Sequence, residues 1–334
     1  MNGMGGADVA VAANGSLLYV PGDAMGENRR TVEAVNRKGT QRRALPNLRP
    51  DAYRTLSLSH DKTRLALATD DDVFIYDFAD ARLTKLTTHP KQDRAPLWTL
   101  DDQRIIFTSM RADYPELFSR LADGTGSDER VLTRGQGLLD LFATGWSPDG
   151  ELLFSQVSPT PGIQCAIFQA PIEHPVDARV LVNYDSCNVA AAVSPNGHGI
   201  VYLSNRTGPF EVMVAGYPGL GRRKGIATMG GIPIWSRDSS EVFFSSEDRR
   251  SMVAVKVQFG TTINAGPPQK LFDIALPPLR GAERLYDVDS DGQFFIIRSG
   301  QEEGGAATST NLVLVENWLE ELKRLVPAPS PRLR

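Results

Sequence analysis

Short apolar segments, each preceded by a turn of polar residues, recur along the chain. In one copy the turn Ser147-Pro148-Asp149-Gly150 precedes the segment 151–155 (Glu-Leu-Leu-Phe-Ser). Proline sets φ in such a turn, aspartate bonds its own backbone and glycine tolerates positive φ. Three more clear copies begin at Ser194, Ser236 and Asp289, and weaker copies begin at Ala13, Ser59 and Thr99. The pattern predicts β-strands that are entered through tight turns.

The spacing of the copies predicts the fold class. The residues that align with Asp149, the third residue of its turn, are Asn14, Asp61, Asp101, Asn196, Asp238 and Asp291, so the copies lie 40 to 53 residues apart. A period of about 40–50 residues with several short strands in each unit is typical of a β-propeller. We therefore predict an all-β propeller of seven four-stranded blades, or of six blades if one terminal copy forms none.

The repeat also predicts the domain organisation. We expect a single propeller domain over residues 1–326, with units near 7–46, 51–88, 89–134, 138–182, 187–229, 230–275 and 282–325. No spare N-terminal strand is visible, so closure is expected to rest on the C-terminal segment. Apolar residues on one face predict a short helix over 316–325. The proline-containing tail 327–334 is expected to be disordered.

Several strings resemble a known family of propellers. They are 95–98 (Ala-Pro-Leu-Trp), 233–238 (Pro-Ile-Trp-Ser-Arg-Asp), 204–212 and 316–323. The repeats are similar to those of TolB-type propellers, and the strings resemble the propeller that follows the kinase domain and membrane span of acidobacterial-type serine/threonine kinases. The resemblance implies a sensing or interaction module. No kinase motif is present: the chain has no glycine-rich loop before a strand lysine and no His-Arg-Asp loop.

Composition narrows the classes of partner and compartment. The net charge is −4 with mixed signs, which argues against nucleic-acid binding because that requires a basic face. The apolar runs are only strand-length, so no membrane insertion is expected. Residues 1–6 show no signal peptide, so we expect a cytoplasmic protein, or an extracytoplasmic domain if it derives from a membrane-anchored kinase. We also expect a monomer.

The aligned copies predict a polar site at one end of the central channel. Arginine recurs seven residues before the third turn position, and polar residues recur beside it: the candidates are Tyr53, Arg54, Asp93, Arg94, Asn188, Glu283 and Arg284. His89 lies on the loop that leads to Asp93, and Asp140 lies just upstream of its own first strand. Arginine suits the bidentate recognition of carboxylate or phosphate.

Three interpretations of this channel mouth stay open. In the first, Tyr53, Arg54, Arg94, Asn188 and Arg284 bind a protein, a peptide or a small polar ligand. In the second, Asp93, Glu283 and Asn188 hold a divalent cation such as calcium or zinc, and Asp93, His89 and Glu283 serve a hydrolase of esters, lactones or phosphotriesters. In the third, the charged residues only form ion pairs between blades and the protein is a scaffold.

Two further residue sets have structural interpretations. Trp98, Trp146 and Trp235 occupy one register of the first strands, which predicts packing between blades, with a stacking platform as the alternative. Cys165 and Cys187 fall near the same face of the blade arrangement. They are expected to be half-buried free thiols, with a disulfide as the alternative; two cysteines do not make a zinc site.

Overall fold

A computed structural model describes residues 9–12, 16–19, 29–134, 136–159, 165–184, 186–228, 231–278, 284–299, 313–315 and 318. The chain divides into two compact units, residues 30–299 and residues 1–29 together with 300–334. In the described part no helix is long and apolar enough to cross a membrane.

The smaller unit contains a three-stranded antiparallel sheet. Its strands are β1 (Val9–Val11), β2 (Leu17–Tyr19) and β28 (Val313–Val315), in the order β1-β2-β28. The predicted helix over 316–325 and the tail 327–334 lie outside the described residues, except for Trp318, which is helical.

The larger unit is a propeller of six antiparallel blades. Blade 1 contains β5 (Thr55–Leu58), β6 (Arg64–Ala68), β7 (Val73–Asp77) and β8 (Arg82–Lys85). Blade 2 contains β9 (Asp93–Trp98), β10 (Arg104–Ser109), β11 (Glu116–Leu121) and β12 (Glu129–Leu132). Blade 3 contains β13 (Asp140–Trp146), β14 (Leu152–Val157), β15 (Cys165–Ala170) and β16 (Arg179–Val182), with a 3₁₀ turn at Pro175–Asp177.

The other three blades follow the same plan with one variation. Blade 4 contains β17 (Asn188–Val193), β18 (Gly199–Ser204), β19 (Glu211–Gly216) and β20 (Arg223–Thr228). Blade 5 contains β21 (Ile234–Trp235), β22 (Glu241–Ser245) and β23 (Ser251–Phe259), whose outer edge pairs with both β24 (Ile263–Ala265) and β25 (Gln269–Asp273). Blade 6 contains β26 (Tyr286–Val288), β27 (Phe294–Ser299), β3 (Arg30–Val35) and β4 (Arg42–Ala44).

The all-β propeller class is confirmed, and the described residues of the larger unit form six blades, the second of the two counts that the sequence allows. The sixth blade explains the count, because β27 pairs antiparallel with β3, from Phe294 opposite Val35 to Ser299 opposite Arg30. Two strands from the C-terminal end of the larger unit, β26 and β27, and two from its N-terminal end, β3 and β4, thus form one blade and close the ring. The sequence repeat had placed these strands in two different blades, the first and the last. The boundaries 1–326 of the whole domain stay a prediction.

Apolar packing lies between the blades, because a blade buries little by itself. One buried cluster joins Ile105 and Phe107 of blade 2 to Ala66 and Ala68 of blade 1. Another joins Ile106 of blade 2 to blade 3 side chains. The repeated turns connect each inner strand to the second strand of its blade, so all of them lie at one end of the channel. We call this end the turn face and the opposite end the strand-start face.

Candidate functional site

Two of the predicted arginines, Arg94 and Arg54, have different environments at the strand-start face. Arg94 lies in blade 2 and donates to both carboxylate oxygens of Asp140 in blade 3, at 2.7 and 3.3 Å. Arg54 is buried; its Nε donates to Asp70 in its own blade, and its two terminal nitrogens have no acceptor in the described part of the chain. The Arg94–Asp140 pair has the geometry expected for an ion pair between blades.

The arginine register does not form a continuous ring. In blade 5 this position is Gly231, where an added Cβ would lie 2.9 Å from the Tyr286 hydroxyl oxygen and 3.0 Å from the Ser245 hydroxyl oxygen. In blades 3 and 4 the position holds Phe142 and Val189, which are both buried. Half of the blades therefore place no charge at this level.

Asp93 is a buried carboxylate in a charged cluster within blade 2. Its oxygens lie 3.4 and 3.5 Å from Arg111 Nη2, which also binds Asp128 at 3.0 Å. Burial raises the pKa of Asp93 above its ordinary value, while the Ser109 hydroxyl and the Arg111 guanidinium act in the opposite direction. Arg111 also covers the Phe118 ring at 3.9 Å, so the cluster ties the strand-start end of blade 2 together.

The remaining predicted residues also have partners outside the predicted set. Asn188 is buried, and its side-chain amide donates to the Ser186 main-chain carbonyl oxygen at 3.0 Å. His89 Nδ1 accepts the Lys91 main-chain N–H at 3.1 Å. The Tyr53 hydroxyl donates to the Arg49 carbonyl oxygen at 3.0 Å, and burial, followed by the charge of Asp51, raises the pKa of Tyr53. Glu283 lies outside the described residues.

No metal cluster forms among the residues that the structure describes. Three or more His, Cys, Asp or Glu side chains able to hold an ion together are not found there. Asp93 and Asn188 lie in different blades, and Glu283 is not described, so the predicted cation and the hydrolase residues stay predictions.

The expectation of free thiols is wrong. Cys165 and Cys187 form a disulfide, with their Cα atoms 4.4 Å apart. Cys165 begins the third strand of blade 3, and Cys187 directly precedes the inner strand of blade 4, so the bond joins two neighbouring blades at the strand-start face. The proximity arises because these two loops meet at the same interface between blades.

The larger of two cavities in the channel lies at its other end, the turn face. It has a volume of about 300 Å³ and is lined by inner-strand ends and turn residues of all six blades. The lining includes Trp98, Trp146 and Trp235, and Pro148 and Pro195 from the turns. A second cavity of about 20 Å³ lies deeper in the channel, between Thr55, Phe142 and Ile232. Sequence reasoning placed the site at the strand-start face and missed this turn-face cavity.

The three tryptophans have one arrangement in common. Each lies three residues before the third turn position and donates its indole N–H to a main-chain carbonyl oxygen of the preceding blade. Trp98 donates to Ser57 at 2.9 Å, Trp146 to Trp98 at 2.8 Å, and Trp235 to Ala192 at 3.0 Å. The predicted role in packing between blades is confirmed. All three residues also border the cavity, although Trp98 is 0% exposed and Trp146 is the least buried of them, so their register was the signal that could have located it.

Four ionisable residues line the turn-face cavity: His60, Arg237, Arg284 and Asp287. Arg284 donates from Nη2 to the Thr144 carbonyl oxygen at 2.6 Å, from blade 6 to blade 3. Arg284 therefore faces the channel, as predicted, but it contributes to the turn-face cavity and to the deeper cavity. The Asp287 oxygens accept the main-chain N–H groups of Leu58 at 3.0 Å and of Val288 at 2.9 Å.

Comparison with solved structures identifies the fold type. The putative TolB from Agrobacterium tumefaciens has a TM-score of 0.64 and 17% identity, and the match covers 82% of this chain and 99% of that chain. TolB from Acinetobacter baumannii has a TM-score of 0.58 and 15% identity, covering 84% and 67%. An oligogalacturonate lyase in complex with manganese has a TM-score of 0.52 and 12% identity, covering 89% and 96%.

These similarities are structural only. No protein-family model and no curated protein matches the sequence. At such low identities the likeness shows the fold, and a fold by itself does not assign a function. The resemblance to kinase-linked propellers is not tested by these matches and stays a prediction. The structure is a β-propeller whose solved neighbours include TolB-like propeller proteins.

Proposed function

We propose that the protein is a binding module that holds a short segment of a partner protein in the turn-face cavity. The observation that carries this proposal is the tryptophan-walled cavity of about 300 Å³ among the turns of all six blades. Mostly apolar, concave sites with a few convergent polar groups are typical binding sites, and tryptophan is enriched at the energetic centres of interfaces.

The cavity walls are preorganised. Trp146 and Trp235 line the cavity, and their indole N–H groups are bonded to the neighbouring blade. Side chains that are already fixed lose little conformational entropy when a ligand binds, which favours affinity. At the strand-start face, by contrast, Arg94 and Asp93 already bind charged groups of the protein itself.

A filled-cavity variant tests the proposal. Val193 lies at the register of the three tryptophans and lines the cavity. Val193→Trp therefore introduces a side chain that other blades carry at this position, and it should fill the cavity without disturbing the fold. Peptides selected from a displayed random library on the wild-type protein should lose at least tenfold in affinity for Val193→Trp.

The matched control is Val180→Trp, because Val180 is 52% exposed on an outer strand. This variant should bind the selected peptides with unchanged affinity. Selected peptides that bind Val193→Trp and Val180→Trp equally well would place binding elsewhere, and the absence of any selected binder would remove the proposal.

The alternative function, a metal-dependent hydrolase, has one supporting observation. An enzyme solved with manganese, the oligogalacturonate lyase, has a similar fold, so the fold is compatible with a metal site. Turnover of a chromogenic ester, lactone or phosphotriester by the purified protein, lost on chelation and in Asp93→Asn, would support this alternative. Turnover that survives both treatments would exclude Asp93 as a metal ligand.

A further inference from the structure

The turn-face cavity ends at Arg284. Every other lining residue lies within five positions of the third turn residue of its own blade, whereas Arg284 lies seven positions before Asp291. Since inner strands run along the channel, Arg284 is the deepest of the lining residues. Its bond to the Thr144 carbonyl oxygen crosses the channel, and only about 20 Å³ is open beyond it, which is room for one water molecule. A ligand that enters from the turn face therefore stops at a guanidinium group.

The charges that line the cavity favour a negative group at this end. Arg284 and Arg237 contribute two positive charges and Asp287 contributes one negative charge. The Asp287 carboxylate lies 3.8 Å from Arg284 Nη1, beyond hydrogen-bond reach, and its oxygens already accept two main-chain N–H groups. His60 directs its Nδ1 at the Asp102 carboxylate, 2.9 Å away. The lining thus carries an excess of one positive charge, and its deepest member is Arg284, whose ion pair with Asp287 has no direct hydrogen bond.

The size of the cavity favours the end of a chain over its middle. About 300 Å³ is at the lower limit of small-ligand sites, which span roughly 300–1,000 Å³. If the bound residue were an aspartate or glutamate in the middle of a segment, the peptide chain on both sides of it would have to pass through the opening of the cavity. A C-terminal residue has peptide chain on one side only. The tryptophan side chains next to Arg284 suit an apolar last side chain.

We propose that the bound segment is the C-terminus of the partner, with its free carboxylate on Arg284 and an apolar or aromatic last side chain beside Trp146 and Trp235. This inference rests on the proposed function, whose site it shares. Arginine binds carboxylates through parallel N–H donors, and such charge-assisted bonds are stronger than neutral ones. Peptide termini are a known class of recognition target.

The test compares matched peptides on the unaltered protein. A library of fluorescent hexapeptides with randomised last three positions is made as free acids and as C-terminal amides, and binding is measured by fluorescence polarisation. We expect binders among the free acids, with the amide of the same sequence about tenfold or more weaker, because a charge-assisted bond is lost. This comparison needs no variant and so does not depend on how a variant folds.

Variants then locate the carboxylate. Arg284→Met should remove the difference between acid and amide, and Arg284→Lys should keep part of it. Arg94→Met changes an arginine at the other end of the channel and should leave the difference unchanged.

Other results would overturn the inference. Equal binding of acids and amides that Val193→Trp abolishes would keep the proposed function and reject the carboxylate contact. No binding of either form would reject the proposed function itself. If N-acetyl-phenylalanine alone binds as tightly as hexapeptides that end in phenylalanine, the ligand is a small organic acid and the partner C-terminus is rejected.

Discussion

Trp146 donates its indole N–H to the main-chain carbonyl oxygen of Trp98, 2.8 Å away and 48 residues earlier in the chain. Because Trp98 makes the same kind of bond to Ser57, the two indoles link blades 1, 2 and 3 in series beside the cavity. Stability of the ring and shape of the site therefore depend on the same side chains.

Replacing these tryptophans with phenylalanine should destabilise the propeller in a graded way. Trp146→Phe is expected to cost about 1 kcal/mol, the net value of one hydrogen bond. Trp98→Phe should cost about 2–3 kcal/mol, because Trp98 is 0% exposed and the smaller ring also leaves a void. Equilibrium urea unfolding measures both, with the exposed Val180→Ala as a control. An equal loss for the two variants would contradict this account of burial.

The turn aspartates should make stability depend on acid. The Ser236 hydroxyl, followed by the main-chain N–H and hydroxyl of Ser240, holds the pKa of Asp238 below its ordinary value. A carboxyl with a lowered folded-state pKa stabilises the fold at pH above its unfolded-state pKa, roughly 3.9, and this stabilisation is lost as the pH falls through the folded value. Asp238→Asn should therefore lose stability at pH 7, by less than about 1 kcal/mol since the site is exposed.

The size of the Asp238→Asn deficit is expected to shrink below about pH 4. Blade 4 provides the natural reference, because Asn196 fills the equivalent position and accepts the Ser194 hydroxyl at 2.8 Å. The reverse change, Asn196→Asp, should stabilise the protein at pH 7 and have little effect at pH 3. Unfolding curves for both variants at the two pH values measure this, and a deficit independent of pH would contradict the role of the charge.

The fold could be predicted from the sequence because its determinants are local. The turns at Asp149, Asn196 and Asp238 each come three residues before the second strand of a blade, and this repeat predicts the propeller class. Closure was not predictable in this way, because the pairing of Val35 with Phe294 depends on contacts between strands about 260 residues apart, and no local pattern records which distant edges meet.

The site could be predicted only in part. The register of Arg284 correctly gave a channel position, but equal registers did not give equal environments: Arg94 meets an aspartate of the next blade, whereas Arg54 meets one of its own. The position of the turn-face cavity depends on which end of the channel the side chains leave open. Which end stays open is decided by contacts between side chains of different blades across the channel axis, and the alternation of apolar and polar residues gives no information about these contacts.

The disulfide gives a prediction about stability and compartment. A loop of about 22 residues closed by a disulfide is expected to contribute about 3 kcal/mol by restricting the unfolded chain. The double variant Cys165→Ala with Cys187→Ala should therefore unfold at lower urea, with a midpoint that does not respond to reductant, unlike that of the wild type.

Since disulfides persist in oxidising compartments, thiol alkylation before and after reduction of protein from cytosolic and periplasmic expression shows where the bond forms. Alkylation of both cysteines in non-reduced periplasmic protein would contradict the bond.

Arg111 should be essential for keeping Asp93 charged inside blade 2. Asp93 is 0% exposed, and removal of the partner of a buried charge costs about 3 kcal/mol or more. Arg111→Met keeps the packing over Phe118 but removes the charge, so we expect a loss of this size at pH 7. Because burial already raises the pKa of Asp93, its carboxyl should protonate more readily in the variant. A carboxyl with a raised folded-state pKa stabilises the fold below its unfolded-state pKa and loses that effect as the pH rises. The stability that Arg111→Met loses relative to the wild type should therefore become smaller as the pH falls from 7 towards 5.

A second substitution separates charge from packing at this cluster. Asp93→Asn removes the buried negative charge, so adding it to Arg111→Met should recover most of the lost stability, and the pH dependence of the deficit should disappear. Urea unfolding of the wild type, the two single variants and the double variant at pH 5 and pH 7 gives the complete cycle. If the double variant is as unstable as the sum of the two single variants, the loss comes from packing of the Arg111 side chain against Phe118, and the charge of Asp93 has no part in it.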